Sequence, residues 1–351
     1  MNSWRDNVRK VEPYTPGEQP KEEGVIKLNT NENPYPPSDK IKEVMSGIKN
    51  LRKYPDPAAT KLVEAIASYH GFDKEEVFVG VGSDDVLAVA FMTFFNGKKP
   101  IFFPDITYSF YPVWAELFAI PYEKKAVNDA FEIQKEDYYA ENGGVVFPNP
   151  NAPTGAFLSL EVVEDIIKHN QDVVVIVDEA YIDFGGDTAK ELTRKYDNVL
   201  VVQTYSKSRS LAGLRIGYAI GNKELIKAMN DVKYSYNSYT MNEPSIVLGT
   251  AVLEDEEYFQ ETRNKIIDTR EWFQTEMRKI GFSFADSKAN FIFATHESVP
   301  AKEIFEAAKK AKIYVRYFDQ PRINDYLRIT IGTREEMETL LDFLKEFTAA
   351  K

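Results

Sequence analysis

The chain has 351 residues, a formal net charge of −12, and 43 % hydrophobic against 28 % charged residues. That is the balance of a globular protein, not of a disordered or collagen-like one, and so acidic a chain is a poor candidate for wrapping nucleic acid or an anionic membrane. It has no cysteine and three scattered histidines, His70, His169 and His296, which excludes disulfides, thiolate metal sites and thiol nucleophiles and leaves no close-spaced histidine pair for a metal.

Residues 1–37 are rich in proline, lack periodicity, and read as an extended arm. Their start carries no apolar run of the kind that opens a secretory leader, and no stretch approaches ~18 uninterrupted apolar residues, so the expectation is a soluble, cytoplasmic protein. From about residue 58 a helical pattern (Leu62, Ile66, Tyr69) precedes short apolar runs at Val77–Val79, Pro100–Phe103, Val145–Phe147, Val173–Val177, Leu200–Val202 and Tyr218–Ile220. Several are apolar throughout, as strands covered on both faces should be. Helical patterns at Asp84–Phe95, Tyr108–Phe118 and Ser159–Lys168 separate most of them, which predicts an α/β fold with a mostly parallel sheet between helices. After residue 250 the character changes. A long charged helix over roughly Glu254–Lys279 precedes strand-like Phe282–Phe284, Phe291–Ala294, Ile313–Tyr317 and Leu327–Ile331, with helices at about 300–310 and 334–348, a smaller C-terminal α+β unit.

Ligands of open parallel sheets sit beyond the carboxyl ends of the strands, so the loops there carry the chemistry. Gly80-Val81-Gly82-Ser83-Asp84-Asp85 leaves a strand and enters a helix. It can cradle a phosphate on backbone N–H groups or serve as a glycine turn with a helix cap. Pro104-Asp105-Ile106-Thr107-Tyr108 brings a tyrosine that can stack on a planar ligand or pack. Asn149-Pro150-Asn151-Ala152-Pro153-Thr154-Gly155 is a rigid loop with amides to spare. Asp178-Glu179-Ala180-Tyr181 ends the most apolar strand, where a carboxylate is costly to ionise without a cationic partner. Thr204-Tyr205-Ser206-Lys207 places an amine among hydroxyls, and Arg215 follows eight residues later. A buried carboxylate, an amine and a phosphate cradle on one rim are the three handles of pyridoxal phosphate.

With these loops in order, the chain resembles the fold-type-I pyridoxal-phosphate aminotransferases from about Tyr14 to its C-terminus, and among them the branch acting on histidinol phosphate. The markers are Leu28-Asn29-Thr30-Asn31-Glu32-Asn33-Pro34-Tyr35, Tyr54-Pro55-Asp56, Gly82-Ser83-Asp84, Tyr108-Ser109, Pro153-Thr154-Gly155, Asp178-Glu179-Ala180-Tyr181, Ser206-Lys207, Ala212-Gly213-Leu214-Arg215 and Leu327-Arg328-Ile329-Thr330. The resemblance implies a transaminase for L-histidinol phosphate and 2-oxoglutarate. Aromatic-amino-acid transamination and phosphothreonine decarboxylation are its rivals on the same fold. It implies an arm with part of the small domain over 1–37, a large cofactor-binding domain over 38–260 and a small domain over 261–351.

The resemblance also assigns roles. Lys207 becomes the imine-forming amine and proton shuttle, and Asp178 the partner of the ring nitrogen. Tyr181 and Asn151 would meet the ring hydroxyl, and Tyr108 would stack on the ring. Ser83, Asp84, Thr204, Ser206 and Arg215 would hold the phosphate. Tyr54 would reach the neighbouring subunit's cofactor, which implies a homodimer. Arg328 would bind the α-carboxylate of glutamate, Tyr14 and Arg316 the substrate phosphate, with Asn31 and Asn33 at the mouth of the site. One departure stands out. The family carries a second asparagine before Pro-Thr-Gly, and here that position is Ala152. Either Asn151 turns inward to replace it or the contact is lost.

Overall fold

The computed structural model describes residues 4–49 and 51–351. Seven strands form the central sheet in the order Val77–Gly80, Gly217–Gly221, Val199–Thr204, Val175–Asp178, Val145–Pro148, Ile101–Pro104, Tyr122–Lys125. Neighbours run parallel except around Gly217–Gly221, which is antiparallel to the strand on either side. Six of the seven strands are buried along their whole length, the reason their sequences are apolar without alternation.

Side chains still alternate between faces. Ile176, Leu200, Val202 and Val146 pack under the helices Ser83–Phe94, Phe110–Leu117 and Lys223–Tyr236. Val175, Val177, Val199 and Val201 pack under Leu160–Lys168 on the other face. Asp178 continues the Ile176 side, so its carboxylate points toward the Phe110–Leu117 helix. Beyond it the chain turns over the rim.

The C-terminal unit is a four-stranded antiparallel sheet, in the order Arg316–Tyr317, Leu327–Thr330, Phe291–His296, Phe282–Ser283, backed by the helices Glu256–Arg278, Ala301–Lys310 and Arg334–Ala349. The segment expected as one strand over Ile313–Tyr317 breaks at Val315. Its first half pairs in parallel with Ile26–Lys27 of the arm, and its second half with Leu327–Thr330. The arm is therefore stitched to the small sheet. Leu28 N–H donates to Tyr314 O at 2.7 Å and Thr330 N–H to Leu28 O at 3.0 Å, which carries Asn29–Asn31 over the rim of the large sheet. Among the described residues no helix is long and apolar enough to cross a membrane.

Candidate active site

A cavity of about 570 Å³ lies where the large-sheet rim, the arm and the small sheet meet. Thirteen of the residues singled out above line it: Tyr14, Asn31, Ser83, Asp84, Tyr108, Asp178, Tyr181, Thr204, Ser206, Lys207, Arg215, Arg316 and Arg328.

On the floor, Asp178 is 4 % exposed. Its Oδ2 accepts from the Tyr111 hydroxyl at 2.9 Å and its Oδ1 from the Ala180 N–H at 3.3 Å. Burial pushes its carboxyl up to about 6, against the pull of those two hydrogen bonds. Tyr111, fully buried and edge-on to Tyr108 at 5.8 Å, is a functional residue the sequence reading passed over. Its spacing of three from Tyr108 puts both on the inward face of one helix start, a signal that could have found it. Glu179 turns to the opposite side and accepts from Thr188 Oγ1, the Ala189 N–H and Gln203 Nε2 at 2.6, 2.6 and 2.7 Å. It holds the rim loop and stays out of the cavity.

At one end lies a phosphate-sized cradle. Gly82, with φ +82°, precedes the helix Ser83–Phe94, whose first N–H groups have no partner within the helix and point outward. Arg215 Nη1 donates to Ser206 Oγ at 3.2 Å and its Nη2 to Asp84 Oδ2 at 2.9 Å; the Tyr108 hydroxyl donates to Asp84 Oδ1 at 2.8 Å. A Cβ on Gly82 would lie 2.4 Å from Arg215 Nη2, and one on Gly217 would lie 2.3 Å from the Gly82 carbonyl carbon. Only glycine lets the antiparallel strand, the turn and the arginine converge there. Thr204 and Ser206 hydroxyls sit 3.0 Å apart beside it.

Lys207 Nζ donates to Thr30 O of the arm at 3.2 Å and lies 5.7 Å from the Tyr181 ring centre. The opposite wall is cationic. Arg316 and Arg328 face each other directly across neighbouring strands. Arg328 Nη2 donates to Asn29 O at 2.8 Å, while its buried Nε has no partner. Neither arginine has a salt bridge among the described residues, although ion pairs are frequent elsewhere on the protein. Burial holds the Arg328 guanidinium below its ordinary value. Tyr14 stacks on Phe110 at 4.2 Å between centroids, and burial raises its phenol despite the two arginines nearby.

Three residues named from the sequence are not brought to the cavity. Asn151 does not turn inward. Its Nδ2 donates to Ile106 O and Thr154 Oγ1 at 2.9 and 3.0 Å and its Oδ1 accepts from Thr107 Oγ1, so the neighbouring 104–108 loop and the Thr154 hydroxyl consume the amide, and Ala152 is what faces the cavity. Asn33 lies off the cavity and donates to Ser208 O at 3.1 Å, propping the turn just past Lys207. Tyr54 is 81 % exposed and leans on Tyr239 at 4.7 Å.

Residues 23–344 match the family model described as aminotransferase class I and II. The chain is 50 % identical to the histidinol-phosphate aminotransferase of Lactococcus lactis subsp. cremoris (strain MG1363), covering 99 % of both chains. It is 51 % identical to the enzyme of the same name from Clostridium beijerinckii, covering 97 % of this chain and 96 % of that one. In fold it superposes with a TM-score of 0.84 and 20 % identity on the crystal structure of histidinol-phosphate aminotransferase from Sinorhizobium meliloti in complex with pyridoxal-5'-phosphate, covering 93 % of this chain and 91 % of that one. With its rim lysine, buried aspartate and arginine-bound cradle on a fold-type-I frame, the chain belongs to the class I and II aminotransferase family.

Proposed function

We propose that this protein transfers an amino group between L-histidinol phosphate and 2-oxoglutarate, giving imidazole acetol phosphate and L-glutamate, with pyridoxal phosphate as cofactor. The observation that carries the substrate is the Arg316–Arg328 pair. Like charges set directly opposite each other on a sheet destabilise it, and no carboxylate relieves these two. A dianion entering the cavity does relieve them. Each substrate brings one, a phosphate on the first and two carboxylates on the second. The identity of about half the chain to relatives named for this reaction supports the same reading.

The residues present fit the cofactor. The cradle at Gly82 is closed to any side chain, the Asp178 carboxyl is buried on the floor of the same cavity, and Lys207 lines that cavity with a single hydrogen bond. When bound, pyridoxal phosphate supplies an electron sink that acidifies the carbon bearing the amino group.

The chain does the rest. Arg215, Ser206, Thr204 and the N–H groups of Ser83 and Asp84 bind the phosphate. Asp178 would hold a proton at the ring nitrogen, and Tyr108, which lines the same cavity, would stack on the ring. Lys207 moves the proton at the substrate carbon, acting in turn as base and acid. Arg328 orients the α-carboxylate of glutamate through a planar guanidinium, and Arg316 with Tyr14 orients the phosphate of the other substrate. The two substrates therefore take turns on one wall, as a ping-pong cycle requires.

The division of labour follows the chain: cofactor binding over 38–260, substrate binding from the arm and 261–351. The exposed Tyr54, beside Tyr239, supports a homodimer in which Tyr54 reaches the partner's site. With this activity we place the protein in the cytoplasm. The test is a half-reaction: the cofactor-loaded protein is mixed with histidinol phosphate or with phenylalanine, and the visible band of the bound cofactor is followed. Bleaching by histidinol phosphate at far lower concentration than phenylalanine needs is the expected result. A preference for phenylalanine makes the protein an aromatic transaminase.

A further inference from the structure

Ala152 faces the cavity without a donor, and the Asn151 amide is consumed by Ile106, Thr107 and Thr154. That leaves Tyr181 as the side chain able to give a proton to the cofactor's ring oxygen, provided its hydroxyl proton points into the cavity. Residues from three distant parts of the chain decide where it points.

Asn31 Nδ2 donates to the Tyr181 hydroxyl oxygen at 3.0 Å. The amide is held in that orientation from its other end. The Thr330 hydroxyl donates to Asn31 Oδ1 at 2.9 Å while accepting the Asn31 N–H at 3.0 Å. Thr330 thus has its proton on Oδ1, and Nδ2 is left for Tyr181. Asn290 Nδ2 donates to the Asn31 carbonyl at 3.1 Å. Asn31 itself has φ +57°, a conformation that asparagine adopts more readily than other non-glycine residues. Asn31, Asn290 and Thr330 are 1 %, 0 % and 2 % exposed, so water does not compete for these bonds. A hydroxyl that accepts from Asn31 keeps its single proton for another acceptor.

We propose that Asn31, oriented by Thr330 and Asn290, is a positioning residue that aims the Tyr181 proton at the cofactor's ring oxygen, supplying through the arm what the residue at 152 does not. The proposal rests on the pyridoxal-phosphate reading above. It also reassigns Asn31, whose polar atoms are occupied within the protein, from substrate contact to control of the cofactor. A proton donor at that oxygen favours the more negatively charged form of the bound cofactor, so removing or reversing it moves the pH midpoint of the cofactor's visible band upward.

The test titrates that band with pH in the full-length, cofactor-loaded protein and measures cofactor affinity of the stripped protein. Asn31→Asp keeps one oxygen toward Thr330 and places a second at Tyr181, which captures the phenol's proton. The midpoint should rise by about one pH unit, and affinity should fall severalfold. Thr330→Val, which frees the amide to turn over, should shift the midpoint the same way by less, and it serves as the second route if Asn31→Asp folds poorly. Adding Ala152→Asn to Asn31→Asp restores a donor and should bring the midpoint back. Midpoints unchanged in both single variants overturn the proposal. A shift that persists in the double variant overturns it too, because Asn31 would then act on the fold and not at the ring oxygen. A chain that shows no visible band even unmutated fails the cofactor reading itself, a separate result.

Discussion

The two walls of the cavity are built on opposite electrostatic plans. On the large-sheet rim the charged side chains other than Lys207 are held by bonds within the protein: Arg215 bonds Asp84 and Ser206, Asp178 takes two donors, and Glu179 takes three. On the small-sheet wall, Arg316 and Arg328 oppose one another with no carboxylate, and the Arg328 Nε is buried without a partner. The rim is pre-organised around a resident group held in every cycle. The facing wall leaves its charges for groups that come and go, and the difference supports the proposed assignment of the rim to cofactor and the wall to substrate.

Removing Lys207, the rim residue proposed to move protons, should have the largest effect. Lys207→Ala is expected to lower kcat by at least about a thousandfold while leaving thermal stability close to unchanged, because Nζ makes a single hydrogen bond to Thr30. Turnover within tenfold of the original would remove Lys207 from the chemistry. The arginine wall should respond next. Arg328→Gln should cost about a hundredfold in kcat/KM for glutamate. Arg316→Gln should raise KM for histidinol phosphate far more than for glutamate. Equal effects of Arg316→Gln on both substrates would take the phosphate role from it.

That contrast also separates what could be read in the sequence from what could not. The rim residues follow apolar runs directly, so locating Val173–Val177 or Leu200–Val202 located Asp178 and Lys207 to the loops that follow. The wall arginines sit inside strands of ordinary composition, and only the family resemblance marked them. The edge strand Tyr122–Lys125 escaped because it is charged and half-exposed; pairing with Ile101–Pro104, not burial, makes it a strand. The asparagines are hard to place from sequence for a related reason. Which amide reaches the cavity depends on partners 44 and 150 positions away, Thr107 for Asn151 and Tyr181 for Asn31, and no local pattern reports such pairings.

The rim's balance is tuned for the loaded protein, and its cost should appear when the cofactor is stripped. Burial raises the folded-state carboxyls of Asp178 to about 6 and of Glu179 to about 7. Both groups therefore favour the folded chain when protonated, a contribution complete below their ordinary values near 4 and lost as pH rises through about 6 to 7. Cofactor-free protein should accordingly lose stability across that window from these two groups, whereas loaded protein, with a cation facing Asp178, should lose less. Asp178→Asn should stabilise the stripped chain at pH 8 by up to roughly 3 kcal/mol, because keeping a buried carboxyl protonated from near 4 to about 6 corresponds to about 1.4 kcal/mol for each pH unit. The same substitution should weaken cofactor binding. A stripped Asp178→Asn chain melting below the unmutated one at pH 8 would contradict this.

Tyr111 offers the smallest and sharpest test of the rim. Its hydroxyl lies 2.9 Å from Asp178 Oδ2, and that hydrogen bond lowers the carboxyl against the larger effect of burial. Tyr111→Phe removes the bond and keeps the ring among Phe91, Phe103 and Trp114. Because that bond is made with and without the cofactor, cofactor affinity at pH 8 should fall by less than the full ~1.5–3 kcal/mol of a hydrogen bond to a charged acceptor, by up to about tenfold. The pH dependence tells more than the size. Asp178 can pair with a charged ring nitrogen only when ionised, so affinity falls on the acid side of its titration. Losing Tyr111 raises that titration and should move the acid limb of cofactor affinity to higher pH. Merely loosened packing would lower affinity by the same factor at every pH. Measuring the cofactor dissociation constant from pH 5 to 8 for both proteins therefore decides whether Tyr111 acts on the charge of Asp178 or only on the shape of the floor beneath it.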